Sequence, residues 1–127
     1  FPIATTPGAK EIVEELALKH RLVLVTGGHP PFQREKLEKA GIEPSLFSNI
    51  LIPEDCVKLP SYREVYSQYF PIEAIACGDR ISMDLAPARE LGFKTVHMRW
   101  GRGLLNRTEP WIDYAISDLG ELRNIVQ

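Results

Sequence analysis

Ala76-Cys77-Gly78-Asp79-Arg80-Ile81-Ser82-Met83-Asp84 is the stretch whose reading decides the fold. An apolar run from Ile72 to Cys77 leads into it and stops at Gly78-Asp79. Beyond it, Leu85, Ala86, Ala88 and Leu91 recur at helical spacing as far as Gly92. This pattern predicts a buried strand, a tight turn carrying an acid, and a helix with a second acid in its first turn. Two carboxylates at the carboxyl end of a parallel strand offer the hard oxygen ligands that Mg²⁺ takes, with positions left for water and phosphate.

The rest of the chain repeats that alternation. Pro7-Gly8 opens a helix whose apolar stripe is Ile12, Val13, Leu16 and Ala17, with Glu11, Glu14, Glu15 and Lys19 opposite. Leu22 to Val25 is a continuous apolar strand, of the kind covered on both faces, and it ends in Thr26-Gly27-Gly28. Pro30 and Pro31 suit a helix start, and Gly41 suits the stop after Ala40. Further strands are predicted at 47–52, 74–77, 95–99 and 114–116, and helices from Ser61 to about Tyr69 and from Ser82 to Leu91. Asp118, with Glu121 three residues on, has the spacing of a capping box for a last helix. Strand–helix alternation with short connections predicts α/β architecture: a three-layer, Rossmann-like α/β/α sandwich around a parallel sheet of about five strands.

The bulk properties narrow the class. The chain has 127 residues, which predicts a single domain over 1–127 with a linker-like 1–7. A formal net charge of −2 gives no sign of the basic face that nucleic-acid binding usually needs, so no nucleic-acid partner is expected. No apolar run is long enough to span a bilayer, and no signal-peptide pattern is present, so no membrane partner is expected. The two cysteines, Cys56 and Cys77, have no disulfide-framework or metal-site spacing, and a reduced, cytoplasmic chain is the expectation.

In parallel sheets of this kind the ligand crevice lies beyond the carboxyl ends of the strands. Thr26, Lys58 and Asp79 all fall on that edge, and Asp84 lies in the following helix. The hydroxyl of Thr26 and the amides of Gly27 and Gly28 are candidate phosphate donors. Lys58 is the candidate neutralising charge, and Asp79 and Asp84 are the candidate Mg²⁺ ligands. Positioning and charge stabilisation are the main demands of phosphoryl transfer. Bland readings stand beside these: a turn acid and a first-turn helix acid favoured by the dipole, a strand-end threonine and a solvated loop lysine. His29 reads as a loop histidine, His97 as a core residue, and Trp100 and Trp111 as sheet-end packing. Arg80, Arg99 and Arg102 read as solvated charges near the same edge.

Taken in order, these motifs resemble the core domain of the haloacid dehalogenase-like hydrolases. Leu22-Val23-Leu24-Val25-Thr26-Gly27-Gly28 resembles that family's second motif, Lys58 with Pro60 its third, and Gly78-Asp79 through Asp84 its fourth. Residues 33–42 and 91–103 resemble the segments that follow the second and fourth motifs. The resemblance implies a phosphohydrolase with Mg²⁺ held at Asp79 and Asp84. Lys58 would serve as a catalytic residue, with Thr26, Gly27 and Lys58 on the phosphate of a small phosphorylated metabolite. The first motif departs from the family. It is a strand ending in two aspartates, the first of them the nucleophile, and the chain has no aspartate before Asp55.

The resemblance therefore implies a partial core, inactive as an isolated chain, with Mg²⁺ binding weak or absent. The alternative function is a non-catalytic binding or interaction module. A receiver-like phosphoacceptor fits less well. It needs an acidic pair after the first strand and a lysine after the fifth, where this chain has Thr26-Gly27-Gly28 and Ser117-Asp118. The absent central strand predicts either closure of the sheet, with order 2-1-3-4-5, or repair by a complementing segment or a second copy. An open gap would leave two apolar edges bare.

Overall fold

The structure of the chain is a computed structural model that describes residue 6 and residues 8–69, 73–99 and 108–126. All of the proposed N-terminal linker except Thr6, together with Ile72, Trp100 and Arg102, lies outside the described residues. The architecture is α/β with parallel strands throughout, and its contacts gather into two compact units.

One unit holds the described residues up to Cys56 together with those from Asp118 onward. Helix α1 (Ala9–Ala17) buries Ala9, Ile12 and Val13 on one face and leaves its glutamates outside, as its apolar spacing requires. Strand β1 (Val23–Val25) runs parallel to β2 (Asn49–Leu51), with Val23 opposite Asn49 and Val25 opposite Leu51. Between them, α2 (Pro30–Lys39) starts on its proline pair, where the missing N–H groups cost no helical bond. Leu37 of α2 and the nearby Ile42 are buried. The capping box forms: the Asp118 side chain accepts from the Gly120 N–H, and Glu121 reaches back to the Asp118 N–H. It caps a 3₁₀ turn, Leu119–Glu121, that leads into α5 (Leu122–Ile125). An exposed ion pair between Arg123 and Glu15 ties the terminal segment to α1.

The other unit runs from Val57 to Ser117. Strands β3 (Ile75–Gly78), β4 (Lys94–Met98) and β5 (Tyr114–Ile116) form a parallel sheet in that order. Gly78 stands opposite His97, and His97 opposite Ala115. Helix α3 (Leu59–Tyr69) precedes β3, and α4 (Ala86–Glu90) connects β3 to β4. Tyr62, Leu85, Ala88, Phe93, Val96, Met98 and Ile116 are buried, and the Tyr62 and Phe93 rings meet at a centroid distance of 6.0 Å. The Asp113 carboxylate accepts from the Thr95 N–H at 2.8 Å, which anchors the chain entering β5.

Three expectations are corrected. Helix α3 does not start at Ser61. The helix begins two residues earlier, and the Lys58 carbonyl accepts its first bond, from the Tyr62 N–H. Pro60 thus falls in the first turn, where proline suits a helix. The helix predicted from Ser82 to Leu91 is two pieces, a π-helical turn over Ile81–Leu85 and then α4. The extra residue in that turn carries Asp84 inward, away from an ordinary first-turn position. The strand order 2-1-3-4-5 does not form either. β1 pairs with β2 alone, and β3 is the end strand of its own sheet among the described residues. Each strand is held by the ladder and helices of its own unit, so an unpaired edge gives no sufficient reason to shift a packed element.

Candidate functional site

The chemistry-bearing cluster of the Val57–Ser117 unit surrounds the carboxyl end of β3. Asp79 leaves the strand directly after Gly78 and is 1% exposed. Asp84 is buried too, and both of its carboxylate oxygens are engaged. Oδ1 accepts from Lys58 Nζ at 2.5 Å, and Oδ2 accepts from the Arg80 N–H at 3.0 Å. The Arg80 carbonyl in turn accepts from the Asp84 N–H at 2.8 Å, so the turn is closed on itself by reciprocal bonds. Lys58 sits at the N-terminal edge of α3, with its side chain 14% exposed against 4% for Asp84. Two residues 26 positions apart in sequence thus form a nearly dry, charge-assisted pair.

Gly78 is what allows this approach. A Cβ at position 78 would lie 2.4 Å from the Asp84 Cβ and 2.6 Å from Oδ2. Any side chain there would push the acid off its lysine. The glycine between β3 and Asp79 is thus explained by packing against the second acid of the same motif.

Two side chains that sequence reasoning left out of the site hold the turn. Tyr62 Oη donates to the Asp84 carbonyl at 2.8 Å. Burial, and then the Asp84 charge, push its hydroxyl well above the ordinary tyrosine range. His97, fully buried on β4, places Nε2 3.2 Å from the Asp79 carbonyl. Tyr62 was discoverable, because it stands four residues after Lys58 and so on the same helix face. His97 carries no such sequence signal, since the contact exists only through the β3–β4 register. Cys77, the last residue before Gly78, has its thiol pushed up to about 12 by burial, with the charges of Asp84 and Asp79 adding to the effect.

Thr26 and Gly27 belong to the other unit. The Thr26 N–H extends the β1–β2 ladder by donating to the Leu51 carbonyl at 3.1 Å. Gly27 packs against Cys56. A Cβ at Gly27 would lie 2.4 Å from Cys56 Sγ, and Cys56 itself holds a left-handed φ of 61°. The loop after β1 is therefore shaped by a close approach that only glycine permits.

No group of three His, Cys, Asp or Glu side chains with metal-site geometry occurs among the described residues. The donor set in the Val57–Ser117 unit is two buried carboxylates at the end of one strand, hard oxygen donors of the type Mg²⁺ takes. Asp84 already has both oxygens engaged, by Lys58 and by the Arg80 N–H, so Asp79 is the carboxylate that fits a coordination shell, with water and phosphate oxygens to complete it.

No family model matches the chain. Among curated proteins it is 30% identical over 124 residues to glyceraldehyde 3-phosphate phosphatase of Methanocaldococcus jannaschii, covering 93% of this chain and 54% of that protein. It is 27% identical over 131 residues to the enzyme of the same name from Pyrococcus furiosus, covering 95% and 54%. The chain spans about half the length of the curated relatives it matches. Among solved structures, a protein described as the HAD-hydrolase YfnB of Bacillus subtilis, bound to magnesium, superposes with a TM-score of 0.78 at 23% identity. That match covers 94% of this chain and 55% of the other. A haloacid dehalogenase-like hydrolase from Burkholderia xenovorans gives 0.77 at 21% identity, over 99% and 60%. In fold the chain is like structures described as haloacid dehalogenase-like hydrolases, and in sequence it is similar to proteins named as phosphatases.

Proposed function

We propose that these 127 residues carry the phosphate and metal side of a Mg²⁺-dependent phosphomonoester hydrolase. The nucleophilic aspartate would be supplied by sequence outside them. The observation that carries this reading is the Lys58–Asp84 pair beside Asp79 at the carboxyl end of β3. A buried carboxylate fixes the ammonium in one direction, which pre-organises it as a counter-charge for a phosphoryl group. Asp84 then acts chiefly by holding Lys58, and Asp79 is the principal metal ligand in this unit. Bound Mg²⁺ would supply charge neutralisation on the phosphate oxygens. Thr26 and Gly27 keep the role read from their sequence, donation of a hydroxyl and an amide to phosphate.

In the reaction, a carboxylate oxygen of the supplied aspartate forms a bond to phosphorus as the bond to the substrate oxygen breaks, and that oxygen leaves as the alcohol by taking a proton from a general acid supplied with the nucleophile. Water then cleaves the acyl phosphate and restores the carboxylate. The curated relatives are named for glyceraldehyde 3-phosphate, which makes a small phosphorylated metabolite the substrate class to test first.

The test is hydrolysis of p-nitrophenyl phosphate and of small sugar phosphates with Mg²⁺. The 127-residue polypeptide alone is expected to show no turnover. A longer polypeptide that adds an aspartate-bearing strand is expected to hydrolyse the ester and to lose that activity on Lys58→Met or Asp79→Asn. Turnover by the 127-residue chain alone, abolished by Asp79→Asn, sinks the assignment of the nucleophile.

A further inference from the structure

His97 stands in an apolar strand, between Val96 and Met98, and is fully buried with them. An aliphatic residue would suit that position better unless the ring's hydrogen bond is needed. Its Nε2 lies 3.2 Å from the Asp79 carbonyl. A carbonyl can only accept, so Nε2 carries the hydrogen. The other ring nitrogen, Nδ1, is buried with no hydrogen-bond partner among the described residues. A buried, unsatisfied acceptor is a cost that calls for an explanation, and among the described residues the ring makes one hydrogen bond to offset it.

That bond falls where the ladder gives out. The β3–β4 register ends at Gly78 opposite His97, and the Arg99 N–H beyond it is spent on the Ile116 carbonyl, toward β5. The Asp79 carbonyl therefore takes a side-chain donor instead of a backbone one. At the far end of the same turn, Tyr62 Oη does the same for the Asp84 carbonyl. The two acids of the motif are each held through their own backbone oxygen, from β4 and from α3.

We propose that His97 is a positioning residue. Its Nε2–H, acting through the Asp79 carbonyl, fixes the backbone at Gly78-Asp79 and with it the direction of the Asp79 carboxylate. The purpose assigned to that direction, presentation of an oxygen ligand to Mg²⁺, rests on the proposed function. A small loosening of such a support is enough to misplace a ligand.

The experiment compares wild type, His97→Phe, which keeps a ring and loses the donor, and His97→Gln, whose side-chain amide restores one. Amide hydrogen exchange is read residue by residue without metal, and Mg²⁺ affinity is measured by calorimetry. His97→Phe is expected to speed exchange at Arg80 and Asp84 by at least about tenfold while Val96 and Met98 stay unchanged, and His97→Gln to return both to near wild type. Mg²⁺ binding is expected to weaken by about tenfold in the Phe variant and recover in the Gln variant. Unchanged exchange at Arg80 and Asp84 in His97→Phe overturns the proposal. So does equal acceleration across β4, which marks a core residue only, or failure of Gln to rescue. If His97→Phe does not fold, His97→Leu takes its place. If neither apolar variant folds while His97→Gln does, the bond serves folding and the positioning role is overturned. Absence of Mg²⁺ binding by wild type counts against the metal reading of Asp79, while the exchange comparison still decides the role of His97.

Discussion

Replacing Asp84 with asparagine leaves the shape of the site nearly intact and removes the charge opposite Lys58. The pair is short, at 2.5 Å, and its side chains are 14% and 4% exposed. An exposed pair would be worth about 0–1 kcal/mol. Breaking a buried one costs about 3–5 kcal/mol, because the surviving charge is stranded. Lys58 retains some access to water, so the expected loss for Asp84→Asn is about 2–4 kcal/mol. With a urea slope of about 1.5 kcal/mol per molar, that lowers the unfolding midpoint by roughly 1.3–2.7 M. Trp111 lies in the unit that contains the pair, so its fluorescence reports the unfolding of that unit. Lys58→Met and the double variant complete a cycle, whose coupling energy is expected to exceed about 1.5 kcal/mol. A coupling below about 0.5 kcal/mol would put the pair with exposed surface ion pairs and refute the argument that it is a pre-organised counter-charge.

Gly78→Ala forces a Cβ to within 2.4 Å of the Asp84 Cβ, and Asp84 is pinned by Lys58 and by the Arg80 amide. The expected cost is about 1–3 kcal/mol by the same fluorescence-monitored urea titration, and a cost within error of zero refutes the packing explanation. Cys77 gives a pH prediction. Its folded-state pKa of about 12 lies above the unfolded value of about 8.5. The protonated thiol is favoured by folding, so its contribution is complete below the unfolded pKa and is lost as pH rises toward 12. Stability is expected to fall in that window with a slope from this group of up to about 1.4 kcal/mol per pH unit, and Cys77→Ala is expected to flatten it. An identical slope in the alanine variant contradicts the assignment.

The sequence by itself determined the succession of strands and helices, because periodicity and breakers are local properties. The apolar run ending at Gly78-Asp79, the proline pair opening α2 and the Asp118–Glu121 box are each read within a few residues, and each stands in the structure. The haloacid dehalogenase-like resemblance was legible for the same reason, since ordered motifs survive in linear sequence. Only the tertiary structure decided what those motifs do to one another. That Asp84 engages Lys58 and that Tyr62 and His97 hold the two acids by their carbonyls depend on approach across 18 to 26 residues of chain, and that Gly78 is glycine because Asp84 lies against it depends on how the π-helical turn folds back. The pairing of the strands into β1-β2 and β3-β4-β5 belongs to the same class. Such distances are set by register and packing, which composition and spacing do not encode, and a buried charge pair or an orphaned ring nitrogen appears only when the surrounding solvent has been removed.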